Sequence, residues 1–358
     1  MSIGALGRYA FINAKLRSRI GSMLGAQDLD NLTRSQSLEE LLHALKGTPY
    51  EPLLELYDKS GDIQRLEAWL FARMVSLHQE VIQLMTNKHA STIEAITRKL
   101  EVENLKSVIR LWFSNRVKQQ NIDHRFGYLF HKQIVSPIDW TQIVNAENYQ
   151  EIVDALHETP YGEVMSRFSI EQLTQEGLFS LETALDQTWF TLLRSIVTKL
   201  PAEDRKLMER VLDRDTDLKN IINLVRFGWM YKLSSDKLRT LMLEGGVVTK
   251  TQEFADYLEK PTEERSPIKL VQRRFPALAK ELIESDITTA EYQTLLVEKY
   301  LFKVRKKDFQ VILRGNPFTI GTILAYFFLE ERQNAIIRTI INGIHYGWEA
   351  SAIQEYTV

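Results

Sequence analysis

The chain has 358 residues, of which 44% are hydrophobic and 26% charged, with a formal net charge of −2. This composition excludes a disordered chain, allows a large core in roughly two to three domains, and gives no global pull towards nucleic acid or anionic lipid. The lack of cysteine excludes disulfides, thiolate nucleophiles and cysteine-ligated metals, and fits a reducing compartment.

The first 21 residues place Tyr9 and Phe11 beside Lys15, Arg17 and Arg19. They hold no apolar run followed by a cleavage site, so no secretory signal is expected. Next comes LEELLHALKGTPY, closed by Thr48-Pro49-Tyr50, then the hexapeptide LEAWLF from Leu66, then RKLEVENLKSVIRLWF from Arg98. The same order then returns. YQEIVDALHETPY closes on Thr159-Pro160-Tyr161, LDQTWF starts at Leu185, and RVLDRDTDLKNIINLVRF starts at Arg210. A third, weaker pass reads QEFADYLEKPTEE, then VEKYLF from Val297, then YFFLEERQNAIIRTIINGIHYG from Tyr326.

Within these segments apolar residues recur at spacings of three and four. Leu181, Leu185, Trp189, Leu192, Ile196 and Leu200 form one stripe, and Val211, Leu212, Leu218, Ile221, Ile222, Val225 and Trp229 form another. That is helix periodicity, and no long stretch alternates at period two, so the fold is expected to be all-α. Asn316-Pro317 reads as a helix start and Gly245-Gly246 as a loop or helix end. The most apolar stretch, Phe318 to Leu329, is followed at once by Glu330 and Glu331. It is far shorter than the ~20 residues of a membrane span, so a buried helix is expected and the protein is soluble or at most peripheral.

The recurrences divide the chain into three helical units at 1–125, 126–235 and 236–358. Each is ~115 residues, well beyond the period of a solenoid repeat and large enough for a small domain. Three related units in tandem can pack around a pseudo-threefold axis, closing as rings of subunits close.

No motif points to catalysis. Asp213, Asp215 and Asp217 begin like a calcium loop, but Leu218 and Leu224 stand where that loop needs Gly and Glu. These acids, like Glu101 and Glu103, are read as favouring a helix N-terminus. The histidines are scattered, with no metal-binding spacing; His43 and His157 are expected on the surface. No phosphate-binding glycine loop or nucleophile elbow is present, and no cofactor is expected. Basic clusters occur at Lys15-Arg17-Arg19, at Arg273-Arg274 and at Lys303-Arg305-Lys306-Lys307. Each is either a solvated helix face or an electrostatic rim for an acidic partner. Nucleic acid is not expected, because acids are interleaved throughout.

In its opening helix from Tyr9 through Lys15, Arg17 and Arg19, the chain resembles the C subunit of bacterial and archaeal A/V-type rotary ATPases, equivalent to the d subunit of the eukaryotic vacuolar enzyme. The Thr-Pro-Tyr turns, Asn104-Leu105-Lys106 and Asp217-Leu218-Lys219, and the closing Leu324-Ala325-Tyr326, Glu330-Glu331, Arg338 and Gly343 carry the same resemblance. The resemblance implies a non-catalytic rotor subunit, funnel-shaped, on the cytoplasmic face of the membrane. Its base would sit on the membrane proteolipid ring and its mouth would receive the central axle. It would thereby transmit torque for ATP-coupled H⁺ or Na⁺ transport, touching the membrane only through the ring. Tyr9, Arg17, Arg19, Arg110, Arg226 and Arg338 are the expected interface residues. The alternative is a helical-repeat interaction scaffold unrelated to rotary ATPases.

Overall fold

The computed structural model describes residues 3–85, 87–261, 264–285 and 289–357. The end of the third, weaker repeat segment, at 262–263, lies outside them. Among the described residues every regular element is a helix.

The first pass along the sequence forms α1 (Ile3–Gly21), α2 (Ala26–Thr33), α3 (Leu38–Ala44), α4 (Pro52–Ser60), α5 (Ile63–Leu84) and α6 (Asn87–Arg116). The second forms α7 (Asp123–Phe126), α8 (Trp140–Asn145), α9 (Tyr149–Ala155), α10 (Gly162–Met165), α11 (Ile170–Glu176), α12 (Phe179–Val197) and α13 (Ala202–Asn223). The third forms α14 (Ser235–Thr240), α15 (Gln252–Glu259), α16 (Pro267–Gln272), α17 (Pro276–Glu284), α18 (Ala290–Arg314), α19 (Gly321–His345) and α20 (Ala350–Thr357). Each pass holds a head of short helices followed by two long ones; α1 precedes the first head and α20 follows the last long helix.

Local chemistry starts the heads alike. Ser37 accepts from the Glu40 amide and Asn148 from the Glu151 amide, each at 3.1 Å, while both glutamates reach back to amides at 2.8 Å. These side chains satisfy donors that a helix start leaves orphaned. The Thr-Pro-Tyr turns are also matched. Thr48 and Thr159 donate to the carbonyls of Leu45 and Leu156 at 2.6 Å, and accept from the amides of Tyr50 and Tyr161. The turn drives each tyrosine ring inward, and both rings are fully buried.

The chain forms two compact units, one of Met1–Gln175 with Asn316–Val358 and one of Glu176–Gly315. In the first, Leu41, Leu42, Leu45, Leu66 and Leu70 pack with Ile337, Ile340 and Ile341 of α19. Fully burying each such side chain contributes about 1.5–3 kcal/mol, so this core ties the beginning of the chain to its end. In the second, Leu218, Ile221, Leu224 and Val225 pack with Leu238, Phe254, Tyr257, Val271 and Val297.

One packing rule runs through both units: each head sits on the last long helix of the preceding pass. The first head docks on α19, where Tyr50 donates to Asn334 at 2.9 Å. The second docks on α6, where Tyr161 donates to Glu101 at 2.8 Å and Trp112 donates to the Ala146 carbonyl at 2.9 Å. The third docks on α13, where the Asn220 carboxamide donates to the Leu243 carbonyl at 3.0 Å and accepts from the Leu243 amide at 2.8 Å. The recurring hexapeptide follows the same order. Leu66, Leu185 and Val297, its first residues, are fully buried. The acid beside each is turned towards the preceding pass where contacts are resolved: Glu67 accepts from Asn342 at 2.7 Å, and Glu298 lies 3.7 Å from Arg226.

Two sequence expectations shift. Asn316 caps the Phe318 amide at 3.0 Å, but the regular helix begins at Gly321, about a turn later than expected. The acids Glu101, Asp213, Asp215 and Asp217 do not mark helix starts. They lie deep inside α6 and α13, and Glu101, Asp215 and Asp217 are buried. A macrodipole acts only within the first turn, so their role is different. Phe318 to Leu329 contributes to α19, and no described helix is long and apolar enough to cross a membrane.

Candidate partner interface

The mid-helix acids hold the loops of the next head. Glu101 accepts from the amides of Val135 and Ser136 at 2.8 and 2.5 Å, and from the hydroxyls of Ser136 and Tyr161. Arg98 adds a charge-assisted bond at 3.0 Å. Asp217, fully buried, accepts from the amides of Val247 and Val248 at 2.7 and 2.8 Å and pairs with Arg274 at 2.7 Å. Gly245 and Gly246 make this approach possible: both take positive φ, and a Cβ on Gly246 would collide with the Asp217 carboxylate. Buried carboxylates persist where several donors converge on them. These groups are structural anchors, which leaves any partner surface to the exposed helix faces.

The opening helix α1 packs on α19, where its Asn13 accepts from Thr322 at 2.7 Å. It is fastened to α5 by one carboxylate. Arg19 meets both oxygens of Glu80 at 2.8 Å, and Lys15 donates to Glu80 at 2.6 Å. The Arg19 and Lys15 bonds hold the pKa of the Glu80 carboxyl down to about 2. Arg19, Ser22 and Met23, at the end of α1 and just beyond it, then wall a cavity of about 250 Å³ with Pro49, Arg73, Leu77 and Gln333.

The expected interface residues therefore divide. Tyr9 is 2% exposed, with its ring 6.1 Å from that of His89, so it belongs to the interior and offers no face to a partner. An aromatic on the inner side of an amphipathic helix is buried by that helix's own packing. Arg19 is half-buried and bonded to Glu80. Arg17 on α1, Arg110 on α6, Arg226 beyond α13 and Arg338 on α19 are exposed. They lie on different helices. Arg226 is within a π-helical turn, Leu224–Met230, that extends α13. There the Leu224 carbonyl accepts from Tyr257 at 2.8 Å. His43 and His157 are exposed, as expected.

Sequence reasoning missed how the second unit gathers its cations. Arg214 of α13, Arg274, and Lys303 and Lys307 of α18 line one cleft of about 720 Å³ with Phe275, Tyr300 and Val311. Arg214 pairs with both oxygens of Asp308 at 2.7 Å, and Lys303 with Glu281 at 3.1 Å. The i, i+4 spacing of Lys303 and Lys307 was the legible part of this site. Arg274 and Arg214 come from segments that only folding brings near. Among the described residues no group of His, Asp and Glu is arranged to hold a metal ion.

The sequence pattern of the ATP synthase (C/AC39) subunit family matches residues 12–356. The chain is 21% identical to the C subunit of the A-type ATP synthase of Methanosarcina mazei, covering 98% of this chain and 92% of that one. It is 22% identical to the same subunit of the A-type ATP synthase of Methanocaldococcus jannaschii, covering 94% and 83%. It is also 20% identical to that of Thermococcus onnurineus, covering 97% and 89%.

Proposed function

Because the chain belongs to the ATP synthase (C/AC39) subunit family, we propose that it is the non-catalytic rotor subunit that joins the central axle to the membrane proteolipid ring. On this reading it turns with the rotor on the cytoplasmic face and transmits torque for ATP-coupled H⁺ or Na⁺ transport. On the same reading the chain is built as three helical units, 1–125, 126–235 and 236–358.

The observation that carries this reading is the order of packing. Each head rests on the last helix of the preceding pass, and the first head rests on α19, the last long helix of the third pass. That order ties each head to the pass before it, and the first head to the end of the chain. It also suits a coupling. Torque passed to one pass is shared with the next through buried cores and multiply bonded carboxylates, which do not slide as exposed contacts do. The scaffold alternative accounts for the repeats but not for a family match over 12–356.

Affinity recovery of the tagged chain from gently solubilised native membranes, read by mass spectrometry, tests the reading. Co-recovery of axle subunits and the proteolipid ring is expected. Recovery of neither, with the rotary complex intact elsewhere in the same extract, would overturn it.

A further inference from the structure

The two clefts described above occupy the same place in the repeat plan. Laying LEAWLF on VEKYLF puts Arg73 and Leu77 of the first cleft on Val304 and Asp308 of the second. On the facing side, Gln333 of α19 walls the first cleft and Arg214 of α13 the second. Each cleft is thus the groove between the last helix of one pass and the first long helix of the next.

In the first unit this groove has an occupant. It is α1, which carries Arg8, Lys15, Arg17 and Arg19 and no acid. The wall residue that fastens it is Glu80. The position matching Glu80 in the second unit is Val311, an apolar side chain 55% exposed. There the cleft is about 720 Å³ instead of about 250 Å³. Its wall holds four cations, Arg214, Arg274, Lys303 and Lys307, against the three carboxylates of Asp308, Asp217 and Glu281, which leaves an excess of positive charge.

We propose that the groove of the second unit, between α13 and α18, is a docking site for an acidic amphipathic helix of a partner subunit. The proposal rests on the rotor reading only for where that partner is found. The occupant's shape is set by α1 in the matching groove, and its charge by complementarity with Arg214, Arg274, Lys303 and Lys307. Its apolar stripe would lie over Tyr300 and Val311, which share one stretch of α18. Its carboxylates would meet Lys303 and Lys307, which are one helical turn apart. At ~1.5 Å per residue the stretch from Tyr300 to Val311 receives roughly three turns of helix. A second copy of this chain does not qualify through α1, because a helix with four cations and no acid would be repelled.

The test places a photoreactive benzoylphenylalanine at Val311 of the tagged full-length chain in its native host, irradiates intact membranes and sequences the adducts. The expected result is one dominant adduct to a helical segment of another subunit that carries excess Asp and Glu. Combining the probe with Lys303→Glu and Lys307→Glu should lower its yield by about tenfold, as charge reversal at a complementary site does. The melting temperature of each variant is measured, and Lys303→Gln with Lys307→Gln replaces the reversal if that variant fails to fold. No adduct, adducts to lipid alone, an adduct to a segment without acid excess, or a yield indifferent to the lysine changes would each overturn the proposal. Co-recovery of axle and ring in the same sample is scored separately. If it holds while the adduct fails, only the groove falls; if it fails while an acidic helix is captured, the groove stands and the rotor reading falls.

Discussion

The phenol of Tyr161 donates to Oε1 of Glu101 at 2.8 Å, joining the turn of the second head to the middle of α6. Both residues are fully buried, and burial pushes the Tyr161 hydroxyl far above its ordinary range. The same carboxylate holds two amides and a serine hydroxyl, so it is the knot of one head-to-helix joint.

Glu101→Ala should destabilise the protein by about 3–5 kcal/mol, because it removes the carboxylate partner of Arg98 and orphans several buried donors at once. Tyr161→Phe should cost about 1–3 kcal/mol, since it removes one donor and leaves the carboxylate with the others. Urea unfolding of both variants checks the order. Equal losses would mean that the phenol, not the carboxylate, is the centre of the joint.

The parallel joint in the second unit gives a sharper backbone test. Gly246 has φ +64° and lies against the Asp217 carboxylate. Gly246→Ala should cost about 2 kcal/mol or more, combining the left-handed strain with displacement of the amides of Val247 and Val248. Hydrogen exchange at those two amides should rise in this variant ahead of exchange elsewhere in the second unit.

Acid sensitivity should come first from His78. Its ring is stacked on Phe327 at 3.6 Å and meets Thr97 at 3.0 Å. Burial lowers its pKa from 6.5 to about 3. The unfolded chain therefore binds a proton that the folded chain refuses. Stability is full above pH 6.5 and falls by about 1.4 kcal/mol per unit as the pH drops towards 3. Glu80 adds a smaller loss. Its contribution is present above 4.5 and disappears as the pH falls towards 2. His78→Leu should flatten the melting temperature between pH 6.5 and 4.5; a slope unchanged in that variant would assign the acid limb to other groups.

Glu80 also tests the fastening of α1. The pairs with Lys15 and Arg19 are about one-third exposed, so Glu80→Gln should cost only about 1 kcal/mol globally. Its main effect should be local: faster hydrogen exchange in α1, imitated in the unchanged protein by high salt, which screens such pairs.

For the exposed arginines the expectation is many weak contacts. On the proposed rotor reading, one subunit seated on a ring of many identical subunits cannot repeat one contact all round. Alanine at Arg17, Arg110, Arg226 or Arg338 should each lower recovery of axle and ring by less than about tenfold. Complete release by one substitution would instead reveal a single dominant contact.

Apolar spacing, cap residues and turn chemistry are local, and the sequence by itself determined what they control. Helices follow from stripes such as Leu181–Leu185–Trp189, head starts from Ser37 and Asn148, and inward tyrosines from the two Thr-Pro-Tyr turns. The repeat was legible because three passes reuse the same local solutions. Resemblance in the opening and closing segments pointed to a family that the match over 12–356 then established. Tertiary structure decided where the charges went. Glu101 and Asp217 look like helix-start acids in one dimension, yet each is held by loop amides about 30 residues away in sequence. Tyr9 and Arg19 look like surface residues until α1 lies on α19 and α5. Arg214, Arg274 and Lys303 look like three unrelated cations until the groove of the second unit assembles them. Periodicity reports which face of a helix is buried, but only packing reports against what. The sign and partners of a polar group depend on that neighbour, which lies tens to hundreds of residues distant along the chain.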